Sequence, residues 1–266
     1  MDLSIIIVTW NVRALLRTCL LALPAATAGL ETEVIAIDNG STDGSPEMLA
    51  GDFPHVRLLR NAENAGFARA NNQGLALAAG RYVVLLNSDT EPLPRSLTGM
   101  VQFMDAHPKA GAASPRLVRP DGSPQPYAYG EDPSPIYLLR RGLAHLRRGY
   151  LHDWAAAEPL QAGWVSGACL VARRAAFEQV GGLDEGIFMY FEDNDWCRRM
   201  RRAGWEVWYN PHAKVLHVGG ASLAQNPRAR GLYYDSLVYF YRKHYGRLAG
   251  AAMQAIVKAT HPHQSA

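Results

Sequence analysis

Apolar positions along the first hundred residues switch between the period of a strand and the period of a helix. Leu3 to Thr9 is a short, β-branched apolar run, the pattern of a strand buried on both faces. Asn11 is placed to cap a helix over Val12 to Leu23, where leucines recur at helical spacing. Glu33 to Ile37 predicts a second strand ending at Asp38, followed by the turn-forming run Asn39-Gly40-Ser41-Thr42-Asp43-Gly44. Val56 to Leu59 predicts a third strand, and Phe67 to Ala79 a helix stopped by Gly80. Tyr82 to Leu86 predicts a fourth strand with Asn87-Ser88-Asp89 just past its end, and Pro94 opens a helix to about His107. The alternation predicts an α/β fold with a parallel sheet flanked by helices. Such sheets bind ligands beyond the carboxyl ends of their strands, where Thr9, Asp38 and Asp89 all fall.

After about residue 118 the pattern loosens. Pro120 to Pro135 is rich in Pro, Gly, Asp and Tyr and reads as an irregular loop. Pro135 to Gly149 reads as a basic amphipathic helix, with Leu139, Leu143 and Leu146 on one face and Arg140, Arg141, Arg147 and Arg148 on its flanks. Val165 to Ala172 predicts a strand preceded by Gly163-Trp164. Glu192 to Ala203 predicts a helix with acids in its first turn and arginines in its last, as the helix dipole favours. Trp205 to Tyr209 and Lys214 to His217 are strand-like, and Pro227 to Tyr245 is an aromatic-rich helix.

Composition narrows the class. At 266 residues and 48% hydrophobic, the chain can bury one large core. A net charge of +3 without a long basic block argues against a nucleic-acid binder. Cys19, Cys169 and Cys197 lack metal-ligand spacing and form no disulfide framework, so free thiols in a reducing compartment are expected. Ile5 to Val8 is too short for a signal core, and no apolar run approaches the ~18 residues that span a bilayer. A cytoplasmic location is expected. Residues 136–151 leave room for a peripheral contact with the inner face of the membrane, leucines at the lipid boundary and arginines at anionic headgroups.

Four sites carry candidate chemistry, each with two readings. Asp89, at the mouth of a buried strand, either holds a divalent cation that carries a diphosphate or caps the next turn. Asp38 either accepts a hydrogen bond from a ligand or closes an Asx-turn. Glu192, Asp193 and Asp195 crowd together after three large residues. Either one of these carboxyls is raised toward use as a general base, or they form a solvated capping box. His217, followed by Gly219-Gly220, either ligates a metal or is merely hydrogen-bonded. Neither G-x-G-x-x-G nor G-x-x-x-x-G-K is present, so a dinucleotide fold or P-loop is poorly supported.

In order, the segments Ser4 to Asn11, Ile37 to Ser45, Asn64 to Gly74, Leu85 to Asp89, Gly181 to Glu185, Phe191 to Asp195 and His217 to Ser222 resemble the family 2 glycosyltransferases of GT-A fold. The resemblance spans residues 3–245 and is closest to the bacterial rhamnosyltransferase-like branch. It implies a Rossmann-like mixed or parallel central sheet flanked by helices, in one domain over 1–245. Residues 1–118 would form the nucleotide-sugar half, 119–245 the acceptor and catalytic half, and 246–266 a C-terminal tail. Thr9, Asn11, Asp38, Asn39, Gly66, Asn71, Asn87 and Ser88 are implied to bind the nucleotide sugar. Asp89 is implied to be the metal acid of a DxD-type motif that here begins with Asn87, with His217 as an extra ligand for Mg²⁺ or Mn²⁺. Asp193 matches the family's base, with Glu192 beside it, and Trp164, Ser166, Gly167 and Asp195 fall in the acceptor and sugar pocket.

The implied reaction is a single inverting displacement. A dTDP- or UDP-sugar, with L-rhamnose as the candidate sugar, would donate to a saccharide or lipid-linked saccharide in cell-surface polysaccharide synthesis. No nucleic acid is implied, and a homodimer is left open. The alternatives are a nucleotidyltransferase, for which Arg13 is the lone basic residue near the first strand, and a non-catalytic nucleotide-sugar-binding protein.

Overall fold

The structure is a computed structural model and describes residues 1–146, 153–219 and 229–260. Its first half follows the strand–helix alternation: β1 (Leu3–Thr9), α1 (Arg13–Ala26), β2 (Thr32–Asp38), α2 (Ser45–Asp52), β3 (Arg57–Arg60), α3 (Phe67–Leu77) and β4 (Tyr82–Asn87). Then come β5 (Thr90–Pro92), α4 (Ser96–Ala106), β6 (Ala110–Val118), β7 (Tyr129–Gly130) and α5 (Pro135–Leu146). The last third holds β8 (Leu160–Gln161), β9 (Trp164–Val165), β10 (Cys169–Arg173), α6 (Arg174–Val180), α7 (Glu192–Arg202), β11 (Glu206–His217), α8 (Ala229–Tyr245) and α9 (Arg247–Thr260).

The central sheet runs β3-β2-β1-β4-β10-β6-β11-β5, with β8 added to β11. Strands β3, β2, β1 and β4 are mutually parallel, as the alternation predicts. Beyond β4 the sheet is mixed, because β10 lies antiparallel to both β4 and β6. Ile5, Ile6 and Ile7 of β1 are fully buried, which needs helices on both faces. Each such side chain contributes about 1.5–3 kcal/mol by leaving water. Helix α1 covers the sheet with Leu16, Cys19, Leu20 and Leu23, the i, i+3, i+4, i+7 stripe visible in the sequence.

Several local expectations are corrected. Asn11 does not cap α1. It sits at φ 53, and its Oδ1 accepts the Thr42 N–H at 2.8 Å. The start of α1 is capped from outside, by Asp43 Oδ2 accepting the Arg13 N–H at 2.7 Å. The run Val165 to Ala172 is two strands, since Ser166-Gly167-Ala168 turns out of one sheet before β10 enters the other. The two strand-like runs after Trp205 are one strand, β11, whose register shifts between Asn210 and Lys214. Pro211 lies in that shift and cannot donate to the ladder. Strand β6 and helices α2 and α6 are additional elements. The segment expected as a tail forms α9.

Helices α8 and α9 build a second small core with Phe191, Phe240, Tyr241 and Met253 buried together. A charged clamp holds α8 on α7. Asp195, fully buried, takes Arg199 at 2.8 Å, Lys243 at 2.5 Å and His244 at 2.8 Å. Lys243 also reaches Asp184 at 2.6 Å. Burial works to raise the Asp195 carboxyl, but His244, Lys243 and Arg199 together hold it well below the usual carboxylate range.

Asp195→Ala removes the buried carboxylate that Arg199, Lys243 and His244 share and is expected to cost about 3–5 kcal/mol of stability at neutral pH. Because the folded-state pKa is depressed, that stability is complete above about pH 4 and declines as the pH falls further. Urea denaturation at about pH 7 and about pH 3 checks both parts, and the gap between wild type and variant is expected to narrow in acid.

Candidate active site

The ends of β1, β2 and β4 and the start of α7 meet along one edge of the sheet. On β1 and β2, Thr9 and Asp38 are register partners and both are buried. Asp38 Oδ2 accepts the Ser41 N–H at 3.2 Å, which is the Asx-turn reading. Its Oδ1 and the neighbouring Thr9 Oγ1 are buried without a protein partner. Both readings of Asp38 therefore coexist, one on each oxygen. Orphaned buried polar atoms cost about 1–3 kcal/mol each, so two side by side mark a place where a ligand completes the bonding.

The loop before α3 closes this end. Asn39 Nδ2 donates to Asn64 Oδ1 and to the Gly66 carbonyl, both at 3.3 Å, and its Oδ1 accepts from Asn61 at 2.8 Å. Asn71 is buried and donates to the Phe67 carbonyl at 2.9 Å. Both asparagines shape the loop from within. Asn11 does the same from across the site by holding Thr42. Gly66 has φ 83 and ψ 170, and a Cβ there would lie 2.7 Å from the Phe188 ring.

At the end of β4 the metal candidates converge. Asp89 Oδ1 lies 3.2 Å from His217 Nε2, both side chains nearly buried. Asn87 Nδ2 approaches the same ring nitrogen at 3.5 Å, and Ser88 is buried beside them. His217 Nδ1 faces Gln125 Oε1 at 2.8 Å. With Gln125 accepting the Nδ1 proton, Nε2 is the ring nitrogen left to face the Asp89 carboxylate, and a neutral ring would offer its lone pair to a cation between them. Among the described residues no group of three or more His, Cys, Asp or Glu side chains is placed to hold a metal. One carboxylate and one imidazole fit a cation whose remaining ligands are phosphate oxygens and water. Gln125 was not legible in the sequence, since it lies in an irregular loop with no motif around it.

The third cluster surrounds the start of α7. Gly167 N–H donates to Asp193 Oδ2 at 3.0 Å, and Asn194 donates to Oδ1 from its backbone at 2.7 Å and its side chain at 2.8 Å. Burial raises the Asp193 carboxyl above its ordinary value, opposed by these bonds. Glu192, more deeply buried than Asp193, is pushed up to about 8 by burial and by Asp193. Ser166 N–H donates to the Ala128 carbonyl at 2.9 Å, and Trp164 packs over Gly130, where a Cβ would lie 2.8 Å from the indole nitrogen. Asn87 N–H donates to the Ala168 carbonyl at 2.9 Å, so the residues bonded to Asn87 and to Asp193 are neighbours in the turn that enters β10. Asp195, on the opposite side of α7, is engaged by Arg199, Lys243 and His244.

Orphaned polar atoms at the ends of β1 and β2, the Asp89–His217 pair after β4 and the Glu192–Asp193 carboxyls at the start of α7 are the polar groups that this region of the sheet brings together. Residues 4–181 match the family model described as Glycosyl transferase family 2. The chain belongs to that family. It is 35% identical over 268 residues, covering 90% of this chain and 83% of the relative, to the N-acetylglucosaminyl-diphospho-decaprenol L-rhamnosyltransferase of Mycobacterium tuberculosis. The fold is similar to the Pyrobaculum calidifontis mannosyltransferase PcManGT in complex with GDP-Man and Mn²⁺, with TM-score 0.63 and 19% identity over 97% of this chain and 75% of that one. It is also similar to S. aureus TarS, with TM-score 0.63 and 15% identity over 91% of this chain and 39% of that one. The architecture is the GT-A fold, and the family 2 glycosyltransferase assignment replaces the nucleotidyltransferase alternative.

Gly66→Ala forces a side chain into backbone that only glycine adopts easily and into the Phe188 ring. It is expected to destabilise by about 1–3 kcal/mol. Gly51→Ala, at a helical position with open space around it, is the control and is expected to hold or gain stability. Thermal denaturation of both variants checks the contrast.

Proposed function

We propose that this family 2 glycosyltransferase is an inverting, divalent-cation-dependent enzyme that transfers L-rhamnose from dTDP-rhamnose to a lipid-linked N-acetylglucosaminyl diphosphate. The observation that carries the chemistry is the separation of roles at one edge: orphaned Thr9 and Asp38 oxygens, the Asp89–His217 pair, and Asp193 poised on Gly167. The sugar and acceptor come from the likeness to the mycobacterial enzyme, whose name contains both.

Thr9 and Asp38 hold the nucleoside, Asn39, Gly66 and Asn71 shape its loop, and Asn11 fixes the opposite rim. Asp89 and His217, with Asn87 and Ser88 alongside, would hold Mg²⁺ or Mn²⁺, which when bound would offset the charge that develops on the leaving group. Asp193 accepts the proton of the attacking acceptor hydroxyl, and its bond to Gly167 fixes the carboxylate's direction. Attack opposite the leaving diphosphate inverts the anomeric centre. Trp164, Ser166 and Gly167 wall the sugar pocket, whereas Asp195 anchors α8.

Transfer by the purified protein from dTDP-L-rhamnose to a synthetic N-acetylglucosaminyl diphospholipid tests this reading. Chelation is expected to abolish turnover, Mg²⁺ or Mn²⁺ to restore it, and Asp193→Asn to lower kcat by roughly 10²-fold or more with little change in nucleotide binding. Undiminished turnover in excess chelator would overturn the metal role. An active Asp193→Asn would overturn the base.

A lipid-linked acceptor also requires a membrane-facing surface. Among the described residues no helix is long and apolar enough to cross a membrane. Helix α5 packs through Tyr137 and Leu138 and turns Ile136 (72% exposed) and Leu139 (66% exposed) outward. Arg140 on the same helix pairs with Glu131 at 3.1 Å. Arg147 and Arg148 lie outside the described residues. The proposed location is cytoplasmic, peripheral on the inner leaflet through α5, with a homodimer as a further arrangement. Sedimentation with anionic and neutral vesicles is expected to pull down wild type preferentially with anionic lipid, and Ile136→Glu/Leu139→Glu much less. Equal, negligible pelleting of both proteins would refute the membrane contact.

A further inference from the structure

The carboxyl group of Glu192 has no role in the scheme above. It is the first residue of α7, set inward by two successive left-handed residues, Tyr190 and Phe191, each at φ 66. Non-glycine residues rarely adopt this conformation, and each instance costs of the order of 1 kcal/mol. The small core formed by Phe191, Phe240, Tyr241 and Met253, together with the Ser236 hydroxyl donating to the Met189 carbonyl at 2.7 Å, holds the turn in place. This turn buries Glu192, which is 7% exposed, beside the proposed base.

Among the described residues no cation and no side-chain donor meets the Glu192 carboxyl, and its Oε2 is buried without a partner. The titratable groups whose charge reaches it are Asp193 on the same helix and Tyr190 on the preceding loop. Glu192 is buried and the adjacent Asp193 half-buried, so with no cation between them ionising both near neutral pH is costly. Three donors, from Gly167 and Asn194, stabilise the charged form of Asp193, while Glu192 has only its own backbone N–H. Of the two carboxyls, Glu192 is the one that favours the protonated form, its pKa raised to about 8 by burial and by Asp193. A neutral acid differs chemically from its ionised neighbour: it can donate a hydrogen bond.

We propose that Glu192 is an acceptor-binding residue, its buried O–H donating to a hydroxyl or N-acyl carbonyl oxygen of the acceptor sugar beside the hydroxyl that Asp193 deprotonates. This rests on the transferase reading and deepens it. The two carboxyls divide the work, one giving a hydrogen bond and the other taking a proton. The left-handed turn and the C-terminal helices serve to keep Glu192 out of water. Ionised Glu192 loses its donor and repels Asp193, so acceptor binding weakens as the pH rises through about 8.

The test uses the full chain, dTDP-L-rhamnose and the synthetic N-acetylglucosaminyl diphospholipid, from about pH 6 to about pH 10. In wild type the acceptor KM is expected to climb above about pH 8, with the donor KM nearly flat. Glu192→Gln keeps a buried donor that does not titrate, so it is expected to stay within about tenfold of wild type and to lose the alkaline rise. Glu192→Ala is expected to raise the acceptor KM about tenfold or more, the loss of one buried hydrogen bond. A Glu192→Gln variant as inactive as Asp193→Asn at every pH, or an unchanged acceptor KM in Glu192→Ala, would overturn the proposal. Infrared difference spectra give a reading independent of turnover. Wild type near neutral pH is expected to show the carbonyl stretch of a protonated carboxylic acid, absent in Glu192→Gln and shifted when the diphospholipid binds. Absence of that band in wild type overturns the role of Glu192. A band that shifts on binding while no protein transfers sugar would count against the transferase reading alone.

Discussion

The antiparallel pairing of β10 on β4 is the contact on which the site depends. It brings a strand from the last third of the chain against the last parallel strand of the first half, with Cys169 opposite Leu86. One residue further, the Ala168 carbonyl takes the Asn87 N–H, and the adjacent Gly167 N–H points to Asp193. Backbone hydrogen bonds are short and directional, so this chain of two bonds sets the spacing between the acid at the end of β4 and the carboxyl pair at the start of α7. A Cβ at Gly167 would meet Phe67 and Asp193 only at ordinary van der Waals distance, so the position is defined by its backbone N–H.

Environment separates three acids that stand within four residues of sequence. Asp195 is the most buried, yet it is ionised, because Arg199, Lys243 and His244 surround it. Asp193 is half-buried and raised but keeps three hydrogen-bond donors. Glu192 has burial and a like-charged neighbour, and nothing to offset them. Successive residues on a helix are about 100° apart, so each carboxyl faces different surroundings: α8, the β9–β10 turn, and the loop entering α7.

The C-terminal helices belong to this arrangement although they lie away from the sheet edge. Gly250 of α9 meets Arg242 of α8 closely enough that a Cβ would lie 2.7 Å away, so the two helices pack tightly. Their apolar faces enclose Phe191, and the charged face of α8 clamps Asp195. The strained turn before Glu192 is thereby supported on both sides. A turn of this kind persists only where its surroundings over-determine it.

The parallel half of the sheet, its order of elements and the strand-end positions of Thr9, Asp38 and Asp89 were legible from the sequence. There, apolar runs and turn residues act locally, and burial on both faces leaves a plain signature in β1, β2 and β4. The ordered motifs likewise identified the family and drew attention to Glu192, Asp193 and His217. Other features depend on contacts between distant residues and leave no local mark. Strand β6, with its alanines, reads as a strand only because β10 and β11 flank it. Asn11 resembles a cap until the 41–42 loop folds onto it. Gln125 acquires meaning from a histidine 92 residues away. Asp195 looks like a site residue until α8 brings Lys243 and His244 to it. Sequence period determines which face of an element is buried; only the tertiary structure decides which charge or hydrogen-bond partner waits on the other side, because those partners come from parts of the chain that no local pattern connects.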